Sequence, residues 1–504
     1  MKRLALFGLA LLVWSGVLLL FSPPAWAIPA FARRYGISCS ACHRAWPALN
    51  DDGWAFKMSG YRRLGGKELT PTTKDVELAA GALSIPAIPP LAIVGAFGFD
   101  LQEVGRRASD GTTATRKGSG FDFSELELLV GAPLGKNLSF FLDYELFETE
   151  IESRTGPGEA NETDSRRNLT FEGEGPGAPG LAMLIWNSLF PQSIAPLDSL
   201  NIIAGINELP LGFSPEHRRL SASPYLIYER RALDLLSRAP VEDLVPTDQR
   251  DRLSRLSKSQ IGVELNGLLR PFGGAMPEAF MLEYHLGMIN GSNNQSDPNT
   301  EKDFFGRLAF RWAGQVLGVF GYWSPDIYSD DLRRAAPDGA ALNPDELSEG
   351  VLAGLGRRNE ASAVGPDLTL SLEPFDIPIW LETQVLFNHE SNPTGFKKSF
   401  SWWGGFTQLN WKILNPLVAY GRYDWLRGDR FDDTSVCGVT GVCGVTGPVK
   451  PREWQAVGGL QWYVLENFKL VAEYGRHEFR NPDSAPSKEK LTEHFFTLRA
   501  ALGF

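Results

Sequence analysis

Beyond residue 27 this chain of 504 residues contains no apolar run long enough to form a transmembrane helix. It also lacks the long stretches of 3.6-residue periodicity that helical bundles and α/β domains need. Positive charge is in deficit, with 49 Lys and Arg against 60 Asp and Glu and a formal net charge of −11. That balance argues against a nucleic-acid partner and against a basic patch for a membrane surface. No hydrolase triad, phosphate-binding glycine loop or pair of catalytic acids stands above background. Cysteine occurs only at positions 39, 42, 437 and 443, so no second pair lies near Cys39 and Cys42 to complete a four-thiolate zinc site.

What the chain does contain begins with a processing signal. Met1-Lys2-Arg3 is followed by an apolar run over 4–21 and by Ala25-Trp26-Ala27, a small-x-small site. The order predicts a secretory signal peptide over 1–27, with the mature chain starting at Ile28. A retained anchor is the alternative.

The remaining sequence is rich in short segments of period-2 alternation, each followed by turn residues. Sixteen are expected: 91–104, 121–131, 138–148, 180–190, 199–208, 258–269, 278–290, 302–312, 315–324, 362–373, 378–389, 399–412, 416–427, 453–464, 467–478 and 492–504. Weak alternating segments of this length are the signature of strands crossing a bilayer at a tilt. The connections support the count, because short and long ones alternate. With the C-terminus taken as periplasmic, the inner turns are 132–137, 191–198, 270–277, 313–314, 374–377, 413–415 and 465–466. The outer loops are 105–120, 149–179, 209–257, 291–301, 325–361, 390–398, 428–452 and 479–491. The fold class read from this is all-β, an antiparallel transmembrane barrel of about sixteen strands over 91–504. A large secreted β-sandwich or propeller would carry similar alternation.

Faces are clearest in three strands. Phe140, Leu142, Tyr144 and Leu146 oppose Asp143 and Glu145; Leu417, Ala419, Tyr423 and Trp425 oppose Arg422 and Asp424; and Phe496, Leu498, Ala500, Leu502 and Phe504 share one face. Apolar faces are expected on lipid and charged ones on a wet lumen. The aromatic last residue resembles the assembly signal of bacterial outer-membrane barrels.

Candidate chemistry lies between the leader and the barrel. Cys39-Ser40-Ala41-Cys42-His43 has the Cys-x-x-Cys-His spacing of c-type haem attachment, in which two thiols add to the haem vinyls and the adjoining imidazole binds iron. A redox disulfide or half of a zinc site would use the same two thiols. In a secreted chain with no thioredoxin-like βαβ pattern around the motif, covalent haem c is the favoured reading. Met58, the sole methionine in this segment, is a candidate sixth ligand, since a Met/His pair raises the potential. It could instead pack beside Trp54 and Phe56, with a lumen-facing His389 or His477 as competing ligand. Arg33, Arg34, Arg62 and Arg63 could pair with haem propionates or be solvated charge. Cys437 and Cys443 are expected to form a small loop disulfide.

The stretch Phe31–His43, with Trp46-Pro47-Ala48-Leu49-Asn50, Phe56-Lys57 and Gly60-Tyr61, resembles the entry segment of the fused outer-membrane cytochrome–porins, a family that includes iron-oxidising outer-membrane cytochromes. The resemblance is specific over about thirty residues of this sequence. It implies a monohaem segment (28–66), a Pro-rich linker (67–90) and a barrel. It also implies single-electron transfer between an extracellular donor, Fe(II) first among candidates, and a periplasmic carrier such as a small cytochrome c. A segment this short is expected to lean on the barrel, having too little core of its own. The competing class is a diffusion porin whose haem-bearing segment plugs or senses. Acidic loop residues such as Glu150, Glu152, Glu159, Glu162 and Asp164 could gather divalent cations or simply be solvated.

Overall fold

The computed structural model describes residues 30–78, 83–88, 90–107, 111, 113–147, 179–215, 218–236, 255–272, 280–293, 300–325, 359–393, 398–431, 450–481 and 489–503. The expected signal peptide, the Cys437–Cys443 loop, the acidic clusters named above and Phe504 lie outside them.

Sixteen strands close into one antiparallel barrel. They are β1 Leu91–Arg107, β2 Thr113–Pro133, β3 Leu138–Phe147, β4 Pro179–Trp186, β5 Asn201–Asn207, β6 Gln260–Leu269, β7 Met281–Ile289, β8 Asp303–Trp312, β9 Gln315–Ser324, β10 Ala361–Ser371, β11 Ile379–Glu390, β12 Phe400–Leu414, β13 Leu417–Gly428, β14 Arg452–Leu465, β15 Phe468–Asn481 and β16 Glu489–Gly503. Each pairs with its sequence neighbour, and β16 closes on β1 with Gly503 opposite Val94 and Lys490 opposite Arg107. Closure leaves no edge strand, the condition for a sheet to cross hydrocarbon.

The outer face carries the apolar set. Leu184, Val263, Leu286, Leu317, Val364, Phe387, Leu409, Leu460 and Leu498 are all exposed, as a lipid-facing band requires. Exposed Trp186, Trp312 and Trp411 stand near the short-turn end, and Trp323 and Trp403 near the other. On β8 and β9, Trp323 pairs with Phe304, eight residues along the strand from Trp312. That is about 26 Å of strand, a hydrocarbon thickness once tilt is allowed for.

Two expectations are corrected. The loop placed at 105–120 is mostly strand, since β1 and β2 stay paired out to Arg107 opposite Thr113. The protruding arm reads Thr-Ala-Thr-Arg-Lys-Gly-Ser-Gly, and beyond the lipid nothing selects apolar alternation. The lumen is not simply wet either. Residues 209–236 of the third outer loop fold inward through two short helices, α3 Leu226–Glu229 and α4 Ala232–Leu236. Their Leu226, Ile227, Leu235 and Leu236 pack on inward-facing Phe305, Phe320, Leu386 and Phe406. Inward-facing Glu283, Gln384, Gln408, Asn410 and Asp424 have no solvent exposure at all.

The folded-in loop is latched by two wall residues. Glu473 on β15 accepts from Ser221 Oγ (2.8 Å), the amides of Ala222 (2.9 Å) and Ser223 (3.0 Å), and Tyr420 Oη (2.5 Å). Arg422 on β13 donates to the Ser223 and Pro224 carbonyls at 2.9 and 2.7 Å. Glu473→Ala orphans several buried donors, each costing about 1–3 kcal/mol. The expected result is faster proteolysis within 209–236 and a measurable conductance in planar bilayers. An unchanged digestion pattern would show that apolar packing alone holds the loop.

Candidate functional site

The short-turn mouth of the barrel is filled by residues 30–69. Helix α1, Ala30–Tyr35, and helix α2, Asp51–Met58, flank the Cys39–His43 turn and a two-stranded ribbon in which His43 pairs with Leu49. The start of α2 is written locally: Asn50 caps it by accepting from the Gly53 amide at 2.8 Å, and Asp51 and Asp52 follow in the first turn. The same Asn50 side chain donates to the Ala41 carbonyl at 3.2 Å, and its amide donates to the Cys42 carbonyl at 2.9 Å. One residue thus ties the helix to the cysteine turn. Gly53 permits the contact, because a Cβ there would sit 2.0 Å from the Cys42 carbonyl oxygen.

The segment borrows its core from the wall. Tyr35, Phe56, Tyr61 and Cys42 pack against Leu181, Met183, Ile185 and Ile203 of β4 and β5, and Tyr61 stacks on Phe31 with ring centroids 4.5 Å apart. Polar contacts fasten it to the turns. Arg63 forms a buried two-point ion pair with Asp198, with Nε to Oδ2 at 2.8 Å. Arg62 donates to the Gly135 carbonyl (2.5 Å) and to Ser139 (3.2 Å), and Arg44 donates to the Gly314 carbonyl (3.0 Å). Asp51 accepts from the Gly314 amide (2.7 Å), and Tyr463 Oη and Lys469 Nζ both donate to the Trp46 carbonyl (2.9 and 3.2 Å).

These contacts answer the arginine question raised by the sequence. Arg34 is paired with Asp75 at 2.7 Å, Arg33 donates to the Leu91 carbonyl, and Arg62 and Arg63 bind the turns. All four fasten the segment and its linker rather than wait for an anionic ligand.

At the motif itself, Cys39 and Cys42 are both free thiols and half-buried. Burial, then Glu466, pushes the Cys39 thiol up to about 11. Burial, then Asp52, pushes Cys42 up to about 12. A redox Cys-x-x-Cys depends on a lowered thiol pKa, so this environment opposes that alternative. The nearest imidazole, His43, places Nδ1 3.0 Å from the Pro47 carbonyl oxygen. Burial lowers its pKa to about 4, so the ring is neutral and Nδ1 donates to that carbonyl, the kind of contact by which second-shell carbonyls orient ligating histidines. Two adjacent protonated thiols and one oriented neutral imidazole are the donor set of covalent haem c, and the residues present fit that group.

The other predicted residues lie apart from the motif. Met58 packs with Ala55, Leu268 and Trp54, and its carbonyl accepts from Asn201 (3.0 Å) and Asn187 (3.3 Å). At about 100° per residue, its side chain leaves α2 on the side opposite Gly53 and Phe56. His389 is exposed on the outer face, bonded to Ser401 at 2.9 Å, so it does not face the lumen. His477 does, between Glu453 (2.6 Å) and Glu493 (3.3 Å). It stands eight residues along β15 from Lys469, which touches the segment, or about 26 Å of strand away. Sequence reading missed His285, which bridges Glu264 (2.6 Å) and Glu283 (3.0 Å) on the wall.

The fold and its contents define a class: a sixteen-stranded transmembrane β-barrel, with its own N-terminal segment lodged in one mouth. No family model and no curated protein matches the chain. Among solved structures it is similar to the anion-selective porin of Comamonas acidovorans, at 10% identity and a TM-score of 0.46 over 82% of this chain and 99% of that one. It is also similar to the outer membrane channel DcaP of Acinetobacter baumannii, at 10% identity and 0.43 over 86% and 100%. Pseudomonas putida OprB gives 10% and 0.43 over 81% and 94%. The assignment to the class rests on this chain's own closed sheet and apolar outer belt.

Gly53→Ala is expected to force the helix and the cysteine turn apart. In protein produced without haem-attachment machinery, maleimide should then label Cys39 and Cys42 several-fold faster than in the parent. Equal rates would mean that the close approach is dispensable.

Proposed function

We propose that this protein is an outer-membrane electron conduit, in which haem c tethered through Cys39 and Cys42 and bound by His43 exchanges single electrons at the periplasmic mouth of the barrel. The observation that carries the reading is the seat of the Cys-x-x-Cys-His turn. Both thiols are free, the imidazole is oriented by Pro47, the Cys39 amide donates to Glu466, and the segment carrying the turn is pinned in the mouth through Arg44, Arg62 and Arg63 to three further inner turns.

When bound, the group supplies a one-electron centre; the rest falls to the chain. Cys39 and Cys42 hold it covalently and His43 binds the iron. The exposed Ser38 and Ser40 leave the Cys39 edge of the turn open toward the periplasm, where a small cytochrome could approach. Fe²⁺ outside is the leading donor and would lose one electron per ion to become Fe³⁺. For the sixth position, the contacts of Met58 with Leu268 and Trp54 favour packing. Met58→Ala is therefore expected to leave the ligand-sensitive spectrum unchanged while destabilising the segment by about 2–5 kcal/mol. Loss of a near-infrared sulfur-to-iron band in that variant would instead assign Met58 as ligand.

A diffusion porin with a haem-bearing plug is the second reading, and the barrel architecture by itself favours it. The buried inner wall and the latched loop oppose free passage of solutes, and liposome swelling with small sugars separates the two.

The direct test uses sealed proteoliposomes with the outer loops outward and an oxidised cytochrome trapped within. Added Fe(II) should reduce first the protein's haem and then the carrier, since neither charge nor Fe²⁺ crosses about 30 Å of hydrocarbon unaided. Haem should also stay on the protein through a denaturing gel. Equal carrier reduction by a Cys39→Ala/Cys42→Ala barrel would make the protein a porin. Haem reduced by another donor but not by Fe(II) would remove only iron as substrate.

A further inference from the structure

The acidic balance of the whole chain conceals a basic row on the outer face of the barrel. Strand pairing sets Arg427 of β13 opposite Arg452 of β14, and Arg452 opposite Arg480 of β15. Arg480 in turn lies opposite Lys490 of β16, and Lys490 opposite Arg107 of β1. Residues directly opposite in an antiparallel pair share a face. Here it is the outward one, because Leu426 and Glu453, the next residues on β13 and β14, are buried toward the lumen while Arg427, Arg452, Arg480 and Arg107 are exposed. Neighbouring strands lie about 4.8 Å apart, so the row is continuous. Like charges so placed are destabilising, and little offsets them. Glu478, two residues nearer the membrane on β15, takes Arg476 (3.2 Å), Lys490 (2.8 Å) and Arg480. One carboxylate thus answers three cations. Among the described residues Arg427 and Arg452 form no ion pair, and Arg427 lies over the Trp403 ring, 5.6 Å from its centroid.

The height of the row says what its anion is attached to. Two residues nearer the membrane, Trp425 of β13 lies opposite Trp454 of β14. Tyr423 stacks on both, with ring centroids 6.2 and 6.1 Å apart. Aromatic clusters of this kind mark the edge of a barrel's apolar band. Further in, Tyr474, Leu460 and Leu498 are exposed on the same face. The row therefore stands where acyl chains end and headgroups begin. Guanidinium forks match phosphate oxygens two bonds at a time, and a phosphate shared between adjacent forks would remove their mutual repulsion. We propose that the outer face of β13–β16 binds a phosphorylated lipid of the outer leaflet, with its phosphate on Arg427, Arg452 and Arg480 and its acyl chains along the apolar face beneath. A free phosphate would meet the same forks but would leave that apolar face unused. The site is independent of the haem reading.

The test uses the full-length protein in detergent, with folding followed by heat-modifiable gel mobility and bound lipid counted by native mass spectrometry. Diphosphorylated lipid A should be retained in preference to its dephosphorylated form. Arg427→Gln/Arg452→Gln should weaken that binding by roughly tenfold or more. Removing two like charges from the rim relieves repulsion, so the variant should keep the folded mobility. If it does not, Arg452→Gln alone carries the comparison, with a several-fold loss expected. Equal retention of the two lipids by the parent, or undiminished binding by a folded variant, overturns the site. Inorganic phosphate that binds the parent and displaces lipid A at equal concentration would define a phosphate-ion site and overturn the lipid assignment.

Discussion

A closed sheet of sixteen strands encloses more space than its own side chains can fill. Eight strands give an interior that side chains just pack, whereas sixteen leave an aqueous channel unless something else enters. In this protein the filling is the chain itself, inserted from both ends: residues 30–69 at the short-turn mouth and residues 209–236 from the long-loop side. The lumen residues, the arginine network and the shape of the candidate site all follow from that need.

The two insertions are held by different physics at the rim and in the middle. At the rim the contacts are charged and directional. Arg63 on Asp198, Arg62 on the Gly135 carbonyl and Asp51 on the Gly314 amide each fix one point of the segment to one turn. Inside, the contacts are apolar, with Phe56 and Tyr61 on Leu181 and Ile185. Either set alone would be weak. Some forty residues cannot build a core, and buried ion pairs barely repay their desolvation. Together they let a short segment keep a defined geometry by using the barrel as its other half.

Where the sequence was easy to read, a single force acted on each face of a strand. In β13, Val418, Tyr420, Arg422 and Asp424 point inward while Tyr423 and Arg427 point outward, so the charged pair marked the inner face at once. Where both faces meet apolar matter the alternation blurs. Phe304 faces out and Phe305 in, Phe387 out and Leu386 in, Trp403 out and Trp402 in. These strands are still legible, because turn residues bound them, but nothing in them announces that the inner partner is another piece of the chain. The protruding β1–β2 arm failed for the opposite reason, since neither of its faces meets lipid or core.

At the candidate site the local chemistry was legible and the partnerships were not. Cys39, Cys42 and His43 lie within five residues of one another, and the Asn50 cap with its acidic first turn is a local signal. The sequence by itself therefore determined the strand number and the alternation of turns and loops, and it placed the candidate residues Cys39, Cys42 and His43 together, because each depends on neighbours a few residues apart. Only the tertiary structure decided that Arg62 and Arg63 serve the turns, that Met58 points at Leu268, that His389 faces outward, and that Trp54 Nε1 is buried without an acceptor. Those outcomes depend on which wall residue lies across the lumen, at separations such as 135 residues for Arg63 and Asp198. The closed barrel fixes those distances, and no local pattern in the chain records them.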